Sequence, residues 1–247
     1  RSSDLPSTSF ESEFYLTRET EEGTLEPIDN FGCFTADGMQ SAHDVILEMV
    51  DGLKAQYMSL SRYYPEYGPG QQELIVEHAP GMRAPDEQVF YKQTVKSVAT
   101  NQDLKATFSP KPIPNKPGSG CHMHVSLWDG DENVFYDEDG DQFEISDTCR
   151  YFIGGVLDHA PALLALTAPS VVSYKRLQPH MWASAYTIWG LDNREAMVRV
   201  PSSQWDDPEQ TTRIELKAAD NTANPYLALL GVLAAGQDGM ERELDPG

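Results

Sequence analysis

The sequence predicts an α+β domain built on a mainly antiparallel sheet. Three observations support this: four stretches with helical periodicity, five short runs that alternate with period two, and no regular strand–helix–strand rhythm. With 247 residues, 40% of them hydrophobic, the chain is long enough for one large domain and too short for several. We therefore expect residues 1–247 to form a single domain.

Four stretches repeat apolar residues at spacings of three and four, a pattern typical of helices with one buried face. The first covers 40–58, where the apolar face comprises Val45, Ile46, Met49, Val50, Leu53 and Tyr57. The second covers 86–101, with Val89, Phe90, Val95 and Val98. The third covers 147–166 and has Asp147 as its expected N-cap. The fourth begins at Asn224-Pro225, because asparagine suits the N-cap and proline the first helical position.

Five runs alternate apolar and polar residues and therefore predict strands. These are Phe10–Leu16, Glu73–Glu77, Cys121–Leu127, Ala196–Val200 and Arg213–Lys217. Stretches rich in proline and glycine at 65–70, 110–120 and 201–208 predict loops between the elements.

The charge balance excludes some classes of partner. The chain has 18 Lys and Arg against 39 Asp and Glu, a formal net charge of -21, which argues against nucleic-acid and membrane partners and favours a halophilic source. The three cysteines are widely spaced, so we expect a reducing cytoplasm rather than a disulfide framework. Neither a transmembrane run nor a signal core is evident, and a soluble protein is expected.

Three of the predicted strands place polar groups on one face, because side chains two positions apart on a strand share a face. The three sets are Glu11 with Glu13, His122 with His124 and Ser126, and Arg213 with Glu215 and Lys217. A sheet packed by helices on one side leaves its other face to water, so each set alone also fits a solvated surface. His43, His78, His159 and His180 lack such partners and are interpreted as surface or packed histidines.

The acidic residues predict a metal site, because clustered carboxylates repel unless divalent cations lie between them. The candidate ligands for Mg²⁺ or Mn²⁺ are Glu11, Glu13, Glu66, Glu73, Glu215 and His122. Six of the 18 basic residues fall within 175–217, which favours a site for a polyphosphate and a carboxylate substrate. Salt bridges to the surplus acids are the alternative explanation for these cations.

Five segments, in order and spacing, resemble glutamine synthetase over nearly the whole chain. They are Glu66-Tyr-Gly-Pro-Gly-Gln-Gln-Glu73, Gly118-Ser-Gly-Cys-His-Met-His124, Ser173-Tyr-Lys-Arg-Leu177, Asp192-Asn-Arg-Glu-Ala-Met-Val-Arg199, and the segment from Arg213 through Asn224-Pro-Tyr226. The resemblance implies the catalytic domain of that family, with a curved antiparallel sheet, flanking helices and a γ-glutamyl phosphate mechanism. It also implies ATP and two divalent cations per site.

The resemblance assigns roles to individual positions. It implies that Glu13, Glu66 and Glu73 hold one cation and that Glu11, His122 and Glu215 hold the other. His124, Ser126 and Arg213 match positions that contact the nucleotide, and Arg194 and Arg199 match those that stabilise the transferring phosphoryl group. Gly118 and Arg176 match positions that bind glutamate. Lys217 and Trp182 occupy positions that contact the substrates in the family.

Three positions depart from the family pattern, all in the acceptor half of the site. Pro117 replaces an asparagine, and Lys217 replaces an arginine, so the bidentate fork is lost. Trp182 stands where the family has a glutamate that helps to deprotonate ammonium; an indole can only pack on an alkyl amine or stack on a cation. We therefore expect a small organic amine as the acceptor, with ammonia as the alternative substrate. Trp182 could also be an aromatic residue that simply packs.

Two further expectations come from the resemblance. Family members have an N-terminal β-grasp-like domain and a final C-terminal segment, both of which we expect to be absent from residues 1–247, and they form ring-shaped homo-oligomers. A non-catalytic homologue that binds nucleotide as a sensor or structural partner is the competing hypothesis. The retained carboxylates argue against it, because they would repel one another without metal.

Overall fold

The computed structural model describes residues 5–140, 143–202 and 207–247. Its strands are β1 (Leu5–Glu19), β2 (Leu25–Pro27), β3 (Leu60–Pro65), β4 (Gln71–Val76), β5 (Ala79–Pro80), β6 (Lys105–Thr107), β7 (Cys121–Asp129), β8 (Glu132–Asn133), β9 (Tyr186–Leu191), β10 (Ala196–Val200) and β11 (Ile214–Leu216). Its helices are α1 (Ala36–Ser41), α2 (His43–Lys54), α3 (Arg83–Asn101), α4 (Asp147–Asp158), α5 (Ala160–Thr167), α6 (Ser173–Arg176), α7 (Pro208–Thr211) and α8 (Pro225–Arg242).

The strands form one sheet whose main path has the order β3-β4-β1-β7-β11-β10-β9. Only β9 and β10 run parallel among the strand pairs of the described ranges, and the other pairs are antiparallel. The α+β class and the mainly antiparallel sheet with flanking helices are therefore confirmed.

Two apolar clusters cover one face of this sheet. In the first, Phe10, Met123 and Val198 from the sheet pack with residues of α4 and α8, among them Phe152 and Val232. In the second, the sheet residues Phe14, Leu16 and Leu74 pack with α2 and α3, which contribute Ile46, Met49, Leu53, Tyr91 and Val95. Because alternate strand residues point to opposite faces, this packing directs the polar side chains of the same strands to the other side.

Strand register aligns those polar side chains in a row across the sheet. Glu13 pairs with Glu73 between β1 and β4, and Glu11 pairs with His122 between β1 and β7. Two further pairs extend the row through β11 to β10: Glu215 with His124 and Glu215 with Arg199. Residues that are distant in the sequence are thus brought together by the pairing of neighbouring strands.

The predicted helices form with several corrections. The stretch 40–58 divides into α1 and α2, and since α2 ends at Lys54, Tyr57 is 86% exposed instead of buried. In α3 the buried face runs through Ala84, Gln88, Tyr91, Val95 and Val98. Val89 and Phe90, predicted for the buried face of that helix, are instead 44% and 56% exposed.

The stretch 147–166 is two helices instead of one. Pro161 lies in the first turn of α5; its nitrogen has no proton to donate, and its ring would clash with the carbonyl four residues earlier in a continuous helix. Ser146 rather than Asp147 is the N-cap of α4, with its Oγ accepting from Cys149 N. The prediction for Asn224 is correct: its side chain caps α8, which extends to Arg242.

The five predicted strands are confirmed, most with shifted ends, as β1, β4, β7, β10 and β11. Six strands of the described ranges were not predicted: β2, β3, β5, β6, β8 and β9. The loops at 65–70 and 110–120 lie between strands as expected, whereas residues 203–206 of the loop predicted at 201–208 lie outside the described residues. Within the part of the chain that the structure describes, no helix is both long and apolar enough to cross a membrane.

Candidate active site

A cavity of about 780 Å³ opens over the polar row of the sheet. Its wall includes every predicted site residue except Ser126: Glu11, Glu13, Glu66, Glu73, Gly118, His122, His124, Arg176, Trp182, Arg194, Arg199, Arg213, Glu215 and Lys217. The carboxylates, the imidazoles and the cations predicted separately from the strand patterns therefore face one shared space.

One cluster in this cavity joins two carboxylates and two imidazoles. His122 Nδ1 lies 3.0 Å from Glu215 Oε1 and 3.9 Å from Glu11 Oε2. Two residues further along β7, on the same face, His124 Nε2 lies 3.1 Å from Glu11 Oε1. Candidate ligand atoms of Glu11, His124 and Glu215 all lie within 4.8 Å of one another. The structure thus brings the predicted set together and adds His124 to it.

Hydrogen bonds orient His122 within this cluster. Arg176 Nη2 lies 3.2 Å from His122 Nε2 and, being a guanidinium, can only donate, so Nε2 accepts and Nδ1 faces the carboxylates. Burial and the charge of Lys217 lower the pKa of His122, which favours the neutral ring that metal binding requires. Although burial acts in the opposite direction, the hydrogen bond from His122 and the charge of Lys217 lower the pKa of Glu215 well below its usual range.

A second cluster contains the carboxylates of Glu13, Glu66 and Glu73, which line the same cavity. Burial, then the charges of Glu11, Glu13 and Glu66, raises the pKa of Glu73 well above its usual range. Burial, followed by the charge of Glu13, raises the pKa of Glu66 to about 7. Glu13 therefore lies close enough to Glu66 and Glu73, and Glu66 close enough to Glu73, to disfavour ionisation of the neighbouring carboxyl.

Neutral hydrogen-bond donors hold this second cluster in place. Gln71 Nε2 and Gly120 N donate to Glu13 Oε2 at 3.0 and 2.9 Å. Tyr64 Oη donates to Glu73 Oε1 at 2.5 Å. Gln71 and Tyr64 were not predicted as site residues, although the alternation of β4 places Gln71 on the face of Glu73, and Tyr64 is the register partner of Glu73.

The donor chemistry of both clusters fits divalent cations. Mg²⁺ and Mn²⁺ prefer carboxylate oxygens and tolerate an imidazole, and a cation among buried carboxylates would offset the repulsion that raises the pKa values of Glu66 and Glu73. Glu13, Glu66 and Glu73 would hold one ion, and Glu11, Glu215 and a histidine the other.

The predicted basic residues differ in how many of their N–H groups already interact with other groups of the protein. Arg199 donates to Glu215 Oε2 at 3.0 Å and to Asp192 Oδ1 at 3.1 Å, while its buried Nε has no partner among the described residues. Arg213 Nε donates to His124 Nδ1 at 3.1 Å. Lys217 Nζ lies 3.4 Å from Glu215 Oε1. These cations balance the Glu11–Glu215 side of the cavity, whereas the Glu13–Glu66–Glu73 side has fewer.

Arg176 and Gly118 form one packed unit beside the clusters. Arg176 is only 4% exposed, and besides His122 it donates to the backbone oxygens of Ala219 and Lys217, both at 3.1 Å. A Cβ atom on Gly118 would lie 2.6 Å from Pro110 O and 2.8 Å from Arg176 Cγ, so only glycine fits here. The guanidinium is thereby fixed at the cavity wall, where it orients His122.

Ser126 lies in an adjoining cavity of about 310 Å³. The two cavities share four wall residues: Glu11, Arg62, His124 and Arg213. Ser126 Oγ accepts a hydrogen bond from Trp128 Nε1 at 2.9 Å. The predicted nucleotide residues therefore follow a path from the main cavity into this second one, and Arg62 is an addition to them.

Aromatic side chains form another part of the wall of the main cavity. Trp182 is 47% exposed, and its ring meets that of Tyr67 edge-on with centroids 5.1 Å apart. The guanidinium carbon of Arg194 lies 5.6 Å from the centre of the Trp182 ring. Phe34 and the exposed His180 also line this part, and the sequence patterns had not marked either as a site residue. Both belong to irregular segments, where periodicity gives no signal.

Comparisons with known proteins agree with this geometry. Residues 5–247 match the family model "Glutamine synthetase, catalytic domain". The glutamine synthetase of Thermococcus kodakarensis is 41% identical over 238 residues, which cover 96% of this chain and 52% of that protein. That of Halobacterium salinarum is 40% identical over 240 residues, again 96% of this chain and 52% of the relative. The chain thus spans about half the length of these curated relatives.

Solved structures show the same architecture. A novel glutamine synthase homologue superposes with a TM-score of 0.88 at 33% identity, covering 99% of this chain and 57% of that one. A GmaS/ADP complex superposes with a TM-score of 0.87 at 34% identity and the same coverage. The strand register, the shared cavity and these matches lead to one conclusion: the chain belongs to the glutamine synthetase family and comprises its catalytic domain.

Proposed function

We propose that this domain catalyses ATP-dependent formation of a γ-glutamyl amide and that its acceptor is a small organic amine rather than ammonia. The observation that carries the proposal is the position of Trp182, which lines the same cavity as both carboxylate clusters. The same cavity thus has the charges that phosphoryl transfer needs and aromatic side chains beside them.

The reaction has two steps, phosphorylation of glutamate and displacement of phosphate by the amine. An oxygen of the glutamate γ-carboxylate attacks the γ-phosphorus of ATP, the bond from that phosphorus to the bridging oxygen breaks, and ADP leaves. The amine nitrogen then attacks the carbonyl carbon of the γ-glutamyl phosphate, inorganic phosphate leaves, and the nitrogen loses a proton. Because only a nitrogen with a free lone pair attacks, the alkylammonium must give up a proton first.

The residues of the cavity suit the first step. Arg194, Arg199 and Arg213 supply positive charge near the carboxylate clusters, which would stabilise the charge on the transferring phosphoryl group. Bound Mg²⁺ or Mn²⁺ would neutralise phosphate oxygens and so lower the same barrier. The path through His124 and Arg213 into the adjoining cavity offers room for the nucleoside, and a similar solved structure contains ADP.

The aromatic wall suits the second step with an organic acceptor. An indole cannot accept a proton from ammonium, whereas its face can attract a cation and its ring can pack on alkyl carbon. Trp182, Tyr67 and Phe34 offer such surface. Ammonium would share the attraction of a cation to the ring face, but it has no carbon to bury against these rings, so the apolar contact would favour an organic amine.

Several properties of the whole protein are also proposed. The family resemblance supports two cations per site, a ring-shaped homo-oligomer and glutamate as the acid substrate. The acidic composition argues against nucleic-acid and membrane partners, and the three widely spaced cysteines favour a cytoplasmic location. A halophilic source is proposed from the net charge of -21.

The test is a product assay on the full-length protein with ATP, Mg²⁺ and glutamate. Ammonia, methylamine, ethanolamine and putrescine are compared, with γ-glutamyl amides identified by mass spectrometry. We expect the highest kcat/KM with an organic amine. Trp182→Glu should shift the preference towards ammonia, and Trp189→Phe serves as the control because Trp189 contacts Phe143 and Arg150 outside the cavity.

Two outcomes would contradict the proposal. Fastest turnover with ammonia in the unmodified protein would mean that Trp182 only packs and that this is a glutamine synthetase. Nucleotide binding without any glutamate-dependent phosphate release would favour the non-catalytic homologue.

A further inference from the structure

Glu195 holds the backbone of Trp182 by a single hydrogen bond. Trp182 N donates to Glu195 Oε1 at 3.0 Å. Glu195 is itself fixed, because its backbone N donates to Asn193 Oδ1 at 3.1 Å at the turn between β9 and β10. The connection therefore joins the segment before β9 to the turn that follows it.

The segment around Trp182 needs such support. His180, Trp182 and Ser184 have φ values of 62°, 50° and 63°, a left-handed backbone region that is unfavourable for residues other than glycine. Within the described part of the chain, the bond to Glu195 is the hydrogen bond that ties residues 179–185 to the remainder of the protein. Without it, relaxation to a commoner backbone conformation would move the indole.

The neighbour of Glu195 contacts the indole ring. The guanidinium carbon of Arg194 lies 5.6 Å from the ring centre. Arg194 thus contacts the side chain of Trp182, and the next residue, Glu195, holds its backbone. The ring has few other constraints: it is 47% exposed and meets Tyr67 only at its edge. Its position at the cavity mouth therefore depends on this pair.

Glu195 acts from behind the wall of the cavity. Trp182, Ala183 and Arg194 line that wall, whereas Glu195 does not. Its Oε2 is buried and has no hydrogen-bond partner among the described residues. Glu195 thus has no direct route to a substrate, and any effect on the reaction must pass through Trp182.

We propose that Glu195 is a positioning residue that makes the site selective for organic amines by holding Trp182 at the cavity mouth. The inference rests on the proposed function, in which Trp182 forms the acceptor wall. It extends that function by placing the determinant of selectivity outside the residues that touch substrate. Because only Oε1 is used, a glutamine at this position can still accept the bond.

The test compares Glu195→Ala and Glu195→Gln in the full-length protein, with the exposed Glu138→Ala as the control. In Glu195→Ala we expect the ratio of kcat/KM for methylamine to that for ammonia to fall about tenfold or more, the usual effect of losing a hydrogen bond to a charged group. The KM values for ATP and glutamate should change less than about twofold. General destabilisation of the protein would not lower the ratio of the two amines while leaving these KM values unchanged. Glu195→Gln should keep the ratio of the unmodified protein.

A second readout does not require activity. The emission of Trp182 is obtained as the difference between each protein and its Trp182→Phe derivative, and its quenching by acrylamide is measured. We expect stronger quenching in Glu195→Ala and unchanged quenching in Glu195→Gln. Unchanged selectivity or unchanged quenching in Glu195→Ala would overturn the role of Glu195. If the unmodified protein makes no amide with any amine, the proposed function fails, and the quenching still decides whether Glu195 holds Trp182.

Discussion

At the residue scale, Glu66 shows the effect of burial beside another carboxylate. Its pKa rises to about 7 from 4.5, first through burial and then through Glu13. The folded protein keeps this proton to higher pH than the unfolded chain does, so the stability that the group contributes is present below about pH 4.5 and is lost as the pH rises through about 7. Above that pH, the folded protein carries a partly buried carboxylate whose charge Arg194 and Lys217 offset only in part.

We predict that Glu66→Gln raises the melting temperature in EDTA at pH 7.5 by about 3 °C, the shift expected for about 1 kcal/mol in a domain of this size. Adding Mg²⁺ should stabilise the unmodified protein more than the variant, because the variant has lost a ligand. Differential scanning calorimetry at pH 5 and 7.5 measures both effects. Glu21→Gln, at an exposed position, is the control, and equal Mg²⁺ responses in the two variants would contradict the assignment of Glu66 as a ligand.

Gly118 is the residue whose lack of a side chain sets the position of Arg176. An added Cβ would come within 2.6 Å of Pro110 O and 2.8 Å of Arg176 Cγ. We predict that Gly118→Ala costs about 1–3 kcal/mol, as overpacking does, and raises the KM for glutamate. Urea denaturation and steady-state kinetics are the measurements. Gly32→Ala is the matched control, since its Cβ would meet nothing closer than Thr35 at 3.8 Å, and equal losses in both variants would refute the steric argument.

At the scale of elements, α8 depends on its N-cap. Asn224 Oδ1 accepts from Tyr226 N and Leu227 N at 3.1 and 3.2 Å, and the helix buries Leu229 and Val232 in the first apolar cluster. We predict that Asn224→Ala costs about 1–2 kcal/mol of unfolding free energy. Asp207→Ala removes the cap of α7, which buries no residue, and should cost under about 0.5 kcal/mol. Chemical denaturation that ranks the two variants in the opposite order would contradict this account.

Elements also show how far the sequence alone determines the site. Alternation on β1, β7 and β11 was enough to predict which side chains share a face, since a period of two leaves no other choice. It could not predict that register would place Glu215 beside both His124 and Arg199, because pairing partners are not encoded locally. The acceptor end was harder still: Phe34, His180 and Glu195 lie outside periodic elements, and only Trp182 was predicted, through the family resemblance.

At the scale of the whole molecule, the net charge of -21 opposes compaction. Six of the 18 Lys and Arg line the cavity, among them Arg199, Arg213 and Lys217, but only five of the 39 Asp and Glu do. Acidic residues therefore greatly outnumber basic ones over the rest of the chain. The repulsion among these acids falls as salt shortens the Debye length from about 10 Å at 0.1 M to about 3 Å at 1 M.

We predict that the melting temperature rises by at least about 5 °C between 0.1 and 1 M KCl, because screening removes more than about 1 kcal/mol of repulsion from the folded state. Most of the rise should occur in the lower part of this range, where the Debye length changes most. Sucrose of equal osmolality is the control for solvent exclusion, which stabilises folded proteins irrespective of their charge. Equal stabilisation by sucrose and KCl would show that exclusion suffices, whereas a larger effect of KCl would tie the stability of this domain to its acidic surface.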